Sequence, residues 1–287
     1  MARKALLVGI NKICIPGADL RGCVNDVQAL RVLLLERFGF ADRDVKVLTD
    51  LKATTKGIQG AFFSLVRGAK QGDVLLFHYS GRGSSAPDRS GDEADYRDEV
   101  LCPSDLDWRA PLTLDWFDSQ ITTIAEGVSL TVILDCGFSG TNTRAFLPPD
   151  APIVPRYLPS PLDLIAGESG RRITGKFSRL GKVEKKSSGS QRRGDVVIVD
   201  RPQVHIMACR PTQVANEASI GGTYGGVLTH HLITAIGQSE SPLSYHDLQK
   251  RVTVLIKETD FDQVPQLSGR KDLLGLPFLE PMSKQRS

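Results

Sequence analysis

The sequence has no run approaching eighteen consecutive apolar residues, so no membrane-spanning helix is expected. Its N-terminus, MARKALLVGI, has a basic start and a short apolar run but lacks the length and the small-residue cleavage site of a secretory signal. It reads as a first strand, and a cytoplasmic protein is expected. Cysteine is sparse: Cys14, Cys23, Cys102, Cys136 and Cys209 are odd in number and scattered, with no C-x-x-C. That excludes a disulfide framework and a structural zinc site as expectations, and it fits reduced thiols. Aromatic residues make up only 6% of the chain. No aromatic platform accompanies its basic residues, so nucleic acid is not an expected partner.

What is present is an ordinary globular composition over 287 residues, 40% apolar and 24% charged, enough for a sizeable core. The net charge of +3 is unevenly spread. Residues 171–193, RRITGKFSRLGKVEKKSSGSQRR, carry about +8 by formal count, which leaves the rest of the chain near −5. This stretch is rich in Gly and Ser and poor in large apolar residues, and it reads as a solvated, protease-sensitive insertion. It divides the chain into residues 1–166 and 195–281, with 167–194 as a flexible basic linker inside a single domain.

Four short apolar stretches read as buried parallel strands: ALLVGI (5–10), VLLFHYS (74–80), LTVILD (130–135) and VHIMAC (204–209), with VKVLTD (45–50) as a weaker fifth. Helical patterns alternate with them at 25–38, 54–69, 113–125, 223–236 and 243–258. In the first, Asn25 or Asp26 stands at the cap and Val27, Leu30, Leu34 and Phe38 form the stripe. Alternation of this kind predicts an α/β sandwich around a mostly parallel sheet of about six strands. Ligands of such sheets bind at the carboxyl ends of the strands. Two loops sit at such ends: HYSGRG (78–83) and DCGFSG (135–140). RGCVND (21–26) precedes a helix where it would face them.

Taken together and in order, these motifs resemble the caspase superfamily (peptidase family C14), within it the metacaspases, and most closely the prokaryotic orthocaspases. KALLVGIN (4–11), LRGCVNDV (20–27), GDVLLFHYSG (72–81), RDEVLCPSD (97–105), LTVILDCGFSG (130–140), and IMACRPTQVANE (206–217) with YGGVLTHHL (224–232) carry the resemblance over some 230 residues. It implies the caspase-like α/β/α sandwich and a monomer. It also implies a cysteine endopeptidase cleaving after Arg or Lys, with a histidine where Arg82 stands and a cysteine where Gly137 stands. Phe138 replaces a polar neighbour as well. Peptide hydrolysis by this route needs a thiolate nucleophile and a proton donor for the leaving amine. Gly137 has no side chain, and Arg82 stays protonated at physiological pH. The chain therefore reads as a pseudoprotease.

Other residues do not readily fill these roles. Cys136 should face the core or the far side of the sheet, because neighbouring side chains at a strand end point oppositely. Ser139 has no evident activating base, and His78 lies inside its strand. Cys23 is the better surrogate thiol but lacks a partner base. His205, His230, His231 and His246 read as core or surface histidines.

The resemblance also implies that the pocket for the basic residue maps onto Cys23, Asp26, Ser80 and Asp135. The oxyanion-hole amides map onto Gly83 and Gly137. Carboxylates facing a guanidinium give charge-assisted hydrogen bonds, which accounts for the basic preference. Asp26 could equally cap a helix and Asp135 could hold a turn. Arg82 could pair with either and fill the pocket from within. No cofactor is expected. Calcium, which Asp92, Asp95, Asp98 or Glu99 would hold, is not expected either. Three readings stand: a non-catalytic protein that binds basic peptides or regulates an active orthocaspase; a residual cysteine endopeptidase using Cys23 or Cys136; and a degraded paralogue with a structural ion pair.

Overall fold

The computed structural model describes residues 1–88, 97–138, 151–161, 191–193, 196–198 and 203–281. In chain order the elements are β1 (Arg3–Gly9), α1 (Cys23–Arg37), β2 (Val45–Thr49), α2 (Thr55–Val66), β3 (Val74–Ser80), β4 (Gly83–Pro87), β5 (Arg97–Leu101), β6 (Leu112–Thr113), α3 (Leu114–Ile121) and β7 (Ser129–Asp135). There follow β8 (Ile153–Pro155), β9 (Gln191–Arg193), β10 (Val196–Ile198), β11 (Gln203–Met207), β12 (Asn216–Ile220), β13 (Thr223–Gly226), α4 (Val227–Gly237), α5 (Tyr245–Glu258), β14 (Gln266–Gly269) and α6 (Lys271–Leu274).

The central sheet runs β2-β1-β3-β7-β11-β14 and is parallel except for β14, which lies antiparallel to β11. Five of them are the stretches read as strands from sequence, and β14 completes the expected number of about six. A short pair, β10 and β9, extends the sheet to eight beyond β14. β9 falls within the stretch read from sequence as linker.

Strands β3 and β7 are buried at every position, as continuous apolar runs in a sheet covered on both faces must be. Side-chain alternation sorts them onto two cores. Ala5, Leu7, Val74, Leu76 and Ile133 pack with α1, α4 and α5 on one face. Leu6, Val8, Leu75, Phe77, Leu130, Val132 and Leu134 pack with α2 and α3 on the other. There Phe62 lies edge-on to Phe77 and Phe117 at centroid separations of 5.1 and 4.8 Å.

Two expectations change. Helix α1 starts at Cys23 after Gly22 and has no side-chain cap; Asp26 lies in its first turn and is turned inward. Residues 223–226 are not helical but form β13, antiparallel to β12, so the helix begins only at Val227. Both departures serve the site described below. Two smaller antiparallel sheets, β13-β12-β8 and β4-β5-β6, flank the carboxyl ends of β3 and β7. No described helix is long and apolar enough to cross a membrane.

Thr54 caps α2, its side chain accepting from Gly57 N–H at 3.0 Å. Thr54→Ala should lower stability by about 1 kcal/mol, read as a lower urea midpoint with an unchanged slope.

Candidate active-site cleft

The register of the sheet brings the carboxyl ends of β3 and β7 side by side, with Ser80 opposite Asp135. Alternation then sends Asp135 to the α1 side and Cys136 to the other, where it is buried in the α2–α3 core. Asp26 reaches the same point from α1. Its carboxylate accepts from Ser80 Oγ at 2.6 Å and from Gly226 N–H at 3.0 and 3.1 Å. Asp135 Oδ2 accepts from Thr229 N–H at 2.8 Å and Thr229 Oγ at 2.6 Å, at the start of α4. The four predicted pocket residues are thus gathered: Cys23, Ser80 and Asp135 are fully buried, and Asp26 is nearly so.

The pocket is filled, and not by Arg82. Arg156, fully buried, enters it from the residue following β8. Its Nη2 lies 2.7 Å from Asp26 Oδ2 and its Nη1 lies 3.4 Å from Asp135 Oδ2. Nη1 also donates to Ser80 Oγ at 2.8 Å and to the Asp135 carbonyl at 3.1 Å. A third carboxylate completes the ring: Glu217 of β12, fully buried, lies 3.6 Å from Nη2 and accepts from the amides of Arg21 and Gly22. Neither Arg156 nor Glu217 was expected from the sequence. Asp135 Oδ1 and Arg156 Nε have no hydrogen-bond partner among the described residues.

Burial pushes the Asp135 carboxyl above the usual range, opposed by the Arg156 charge and the Thr229 hydrogen bonds. The Arg156 guanidinium, surrounded by carboxylates, is held well above its ordinary value against its burial. Gly226 is required here, because a Cβ on it would overlap Asp135 Oδ2 and the Arg156 guanidinium.

The main chain of the same segment is bound as closely as its side chain. β8 pairs antiparallel with β12, and the Arg156 N–H continues the ladder by donating to the Ala215 carbonyl at 2.7 Å. The Arg156 carbonyl oxygen accepts from two amides, Gly83 N–H and Gly137 N–H, each at 3.0 Å. These are the two expected oxyanion-hole donors, and they converge on one oxygen. A Cβ at Gly83 would overlap the Gly137 carbonyl, so this close approach requires glycine. Leu158 N–H donates to Gly83 O at 2.8 Å and Ser84 Oγ to Leu158 O at 2.6 Å.

Arg82, 6% exposed, pairs with no carboxylate of the pocket. Its Nη1 donates to the carbonyls of Pro155 and Tyr157, both at 2.9 Å, and its Nε to that of Ala18. It therefore grips the residues on either side of Arg156. Burial pushes its pKa down, yet a guanidinium hydrogen-bonded to three carbonyls remains a cation and offers no base.

The alternative groups are poorly disposed for chemistry. Burial raises the thiols of Cys23 and Cys136 far above the range in which a thiolate forms; for Cys23 the Arg156 charge opposes this without reversing it. His78 is fully buried and pushed down to about 4, mainly by desolvation. Its Nε2 lies 3.0 Å from Thr229 Oγ, which itself donates to Asp135, so Nε2 carries the proton and donates. His231 is buried, with Nδ1 2.7 Å from the Val227 carbonyl, and His205, His230 and His246 are half-buried in β11, α4 and α5. Ser139, Asp92 and Asp95 lie outside the described residues, as does most of the basic stretch.

Comparison with known proteins agrees with this architecture. Residues 3–145 match the family model for the metacaspase, peptidase C14 domain. Metacaspase-1 of Emericella nidulans is 31% identical, the match covering 94% of this chain and 71% of the relative. Metacaspase-1 of Ajellomyces capsulatus is 30% identical over 93% of this chain and 79% of its own length. Metacaspase-6 of Arabidopsis thaliana is 42% identical over 49% of this chain, but the match spans only 39% of that protein. These relatives are plant and fungal. A crystal structure of a Geobacter sulfurreducens protein superposes with a TM-score of 0.68 over 99% of this chain and 100% of that one, at 22% identity, a likeness of fold.

Replacing Arg156 with Gln would leave three buried carboxylates without their cation. Breaking one partner of such a cluster costs about 3–5 kcal/mol. Asp135, whose carboxyl is already raised by burial, would rise further without the guanidinium. The variant's stability should therefore be greatest below the ordinary carboxylate range and should fall as pH rises through the raised Asp135 value. Thermal melts at low and neutral pH, beside the parent chain, read this directly.

Proposed function

The chain belongs to the metacaspase family, and from that premise we propose that it is a non-catalytic member, a pseudoprotease that holds a peptide carbonyl without attacking it. One observation carries the reading. The Arg156 carbonyl sits between the Gly83 and Gly137 amides, where hydrolysis would need a nucleophile and a proton donor at hand. The residues standing there are Gly137, with no side chain, and Arg82, a cation already engaged by carbonyls. Loss of either role alone removes several orders of magnitude in rate. The buried, high-pKa thiols support the same reading against a relocated nucleophile.

Its role is then binding or regulation, with an active metacaspase-family enzyme as the partner class. Competition for basic peptides is less well supported than pairing, because the acidic pocket already holds an arginine. The assignment to the orthocaspase branch rests on motif order alone. Arg/Lys specificity is a property of the pocket's chemistry, with Asp26, Asp135 and Glu217 as its acidic walls.

Purified protein incubated with fluorogenic Arg- and Lys-terminated peptides should release no fluorophore above the buffer blank. An Arg-based thiol-reactive electrophile should leave Cys23 and Cys136 unlabelled by mass spectrometry. Turnover that Cys23→Ala or Cys136→Ala abolishes would replace this reading with that of a relocated nucleophile.

A further inference from the structure

Resting on the non-catalytic reading, we infer that residues 153–158 are a substrate analogue built into the fold. Arg156 occupies the pocket as the residue before a scissile bond, and Arg156–Tyr157 is the peptide this cleft is shaped to cut. Three independent contacts meet on that one residue. Its guanidinium is ringed by Asp26, Asp135 and Glu217. Its carbonyl oxygen takes both converging amides. Its backbone lies in extended register along β12, with Val154 opposite Glu217 and Pro155 opposite Asn216.

A core ion pair would need only the first of these, and a structural strand only the last. A carbonyl oxygen held by two amides from separate loops is the arrangement that stabilises a tetrahedral oxyanion. The reacting position also has room for a Cβ. One built on Gly137 meets Ala215 N at 3.4 Å and Tyr157 Cβ at 3.7 Å, ordinary contact distances. A side chain at 137 would thus start beside the Arg156–Tyr157 linkage.

The two replaced positions then act together. Gly137 supplies no nucleophile, and Arg82 bonds the carbonyls one residue before and one residue after Arg156. The chain is held as a complex of cleft and substrate strand that cannot react. It follows that the cleft's ligand class is an extended strand with a proline-arginine pair followed by a bulky residue. It also follows that the native site has no room for such a strand in trans. A restored site would cut first at 156, ahead of any basic residue in 171–193.

The chemistry of that cut balances as follows. The thiolate introduced by Gly137→Cys adds to the Arg156 carbonyl carbon, and the resulting oxyanion takes the Gly83 and Gly137 amide protons as hydrogen bonds. The C–N bond to Tyr157 then breaks, and its nitrogen takes a proton from the imidazolium at position 82, formed when the imidazole introduced by Arg82→His accepted the thiol's proton. Water hydrolyses the thioester, releasing the Arg156 carboxylate and regenerating the thiol.

The test uses the full chain. The R82H/G137C variant should convert to two fragments, residues 1–156 and 157–287, seen by intact mass, and adding Arg156→Gln should abolish that cut. A double variant that is folded by circular dichroism yet stays whole, or is cut first elsewhere, overturns the inference. Should it not fold, the native protein decides. Titration calorimetry with benzamidine and with an acetylated Ile-Val-Pro-Arg amide should show no saturable binding up to about 1 mM. Micromolar binding to the native chain overturns the inference. The two readings fail separately: turnover of external peptide by the native chain sinks the non-catalytic reading, whereas native-chain peptide binding without turnover sinks only the internal ligand.

Discussion

One guanidinium ties the carboxyl end of this sheet together. Arg156 bonds or faces groups from α1, β3, β7 and β12, elements far apart in sequence, at a point from which solvent is excluded. Water cannot substitute there, so each carboxylate depends on the others' partners. Asp26 is met by Ser80, Gly226 and Arg156; Asp135 Oδ2 by Thr229 and Arg156, with its Oδ1 left without a partner among the described residues; Glu217 by Arg21, Gly22 and Arg156. Three carboxylates around one cation form an unbalanced cluster; burial raises the Asp135 carboxyl, and the Asp26 charge adds to it against the pull of Arg156. Backbone amides and hydroxyls make up the difference, which is why the surrounding turns are so closely packed. Gly22 and Gly225 approach so tightly that a Cβ on Gly22 would lie 2.7 Å from the Gly225 backbone.

The same cluster changes the meaning of Arg82. Taken alone, an arginine in place of a proton-transfer residue is a loss. In the structure it is a clamp, spending its donors on main-chain carbonyls that a strand in this cleft would otherwise leave unpaired. An imidazole is too short and has too few donors to bridge the carbonyls of Pro155 and Tyr157 in this way. On the non-catalytic reading proposed above, the arginine that replaces a proton-transfer group also secures the occupant.

The sheet was legible because its central strands are continuous apolar runs and its helices carry a period near 3.6, signals that are local in sequence. Residues 223–226 read as helix because TYGG adjoins a helical run, while the partner that makes it a strand, β12, is recognised only in three dimensions. The placement of Asp135 inward and Cys136 outward followed from strand alternation. The gathering of Cys23, Asp26, Ser80 and Asp135 came from family resemblance, since no periodicity links them. Arg156 and Glu217 escaped for a physical reason. Arg156 meets Asp26 across 130 residues of sequence, and an isolated arginine between Pro155 and Tyr157 resembles any loop arginine. Arg82 drew attention as the pocket's filler because it neighbours Ser80 in sequence. The strand ends at Ser80, which points into the pocket, and the bend at Gly81 carries Arg82 onto the segment that lies over it.

An acidic pocket beside a glycine at position 137 need not reflect an external ligand. Once a buried cation and its carboxylates have formed, removing any single member strands the rest without water, at several kcal/mol. Replacing all of them at once with apolar groups can be neutral, but single substitutions do not reach that state. The network is therefore kept by folding stability alone, whatever became of turnover. Positions 82 and 137 stand outside that cluster. Gly137 contributes an amide that any residue except proline would contribute, and a Cβ there meets its neighbours only at ordinary contact distances. Arg82 bonds three main-chain carbonyls and none of the carboxylates. Change at these two positions therefore leaves the pocket, bound into the core through Arg156, in place.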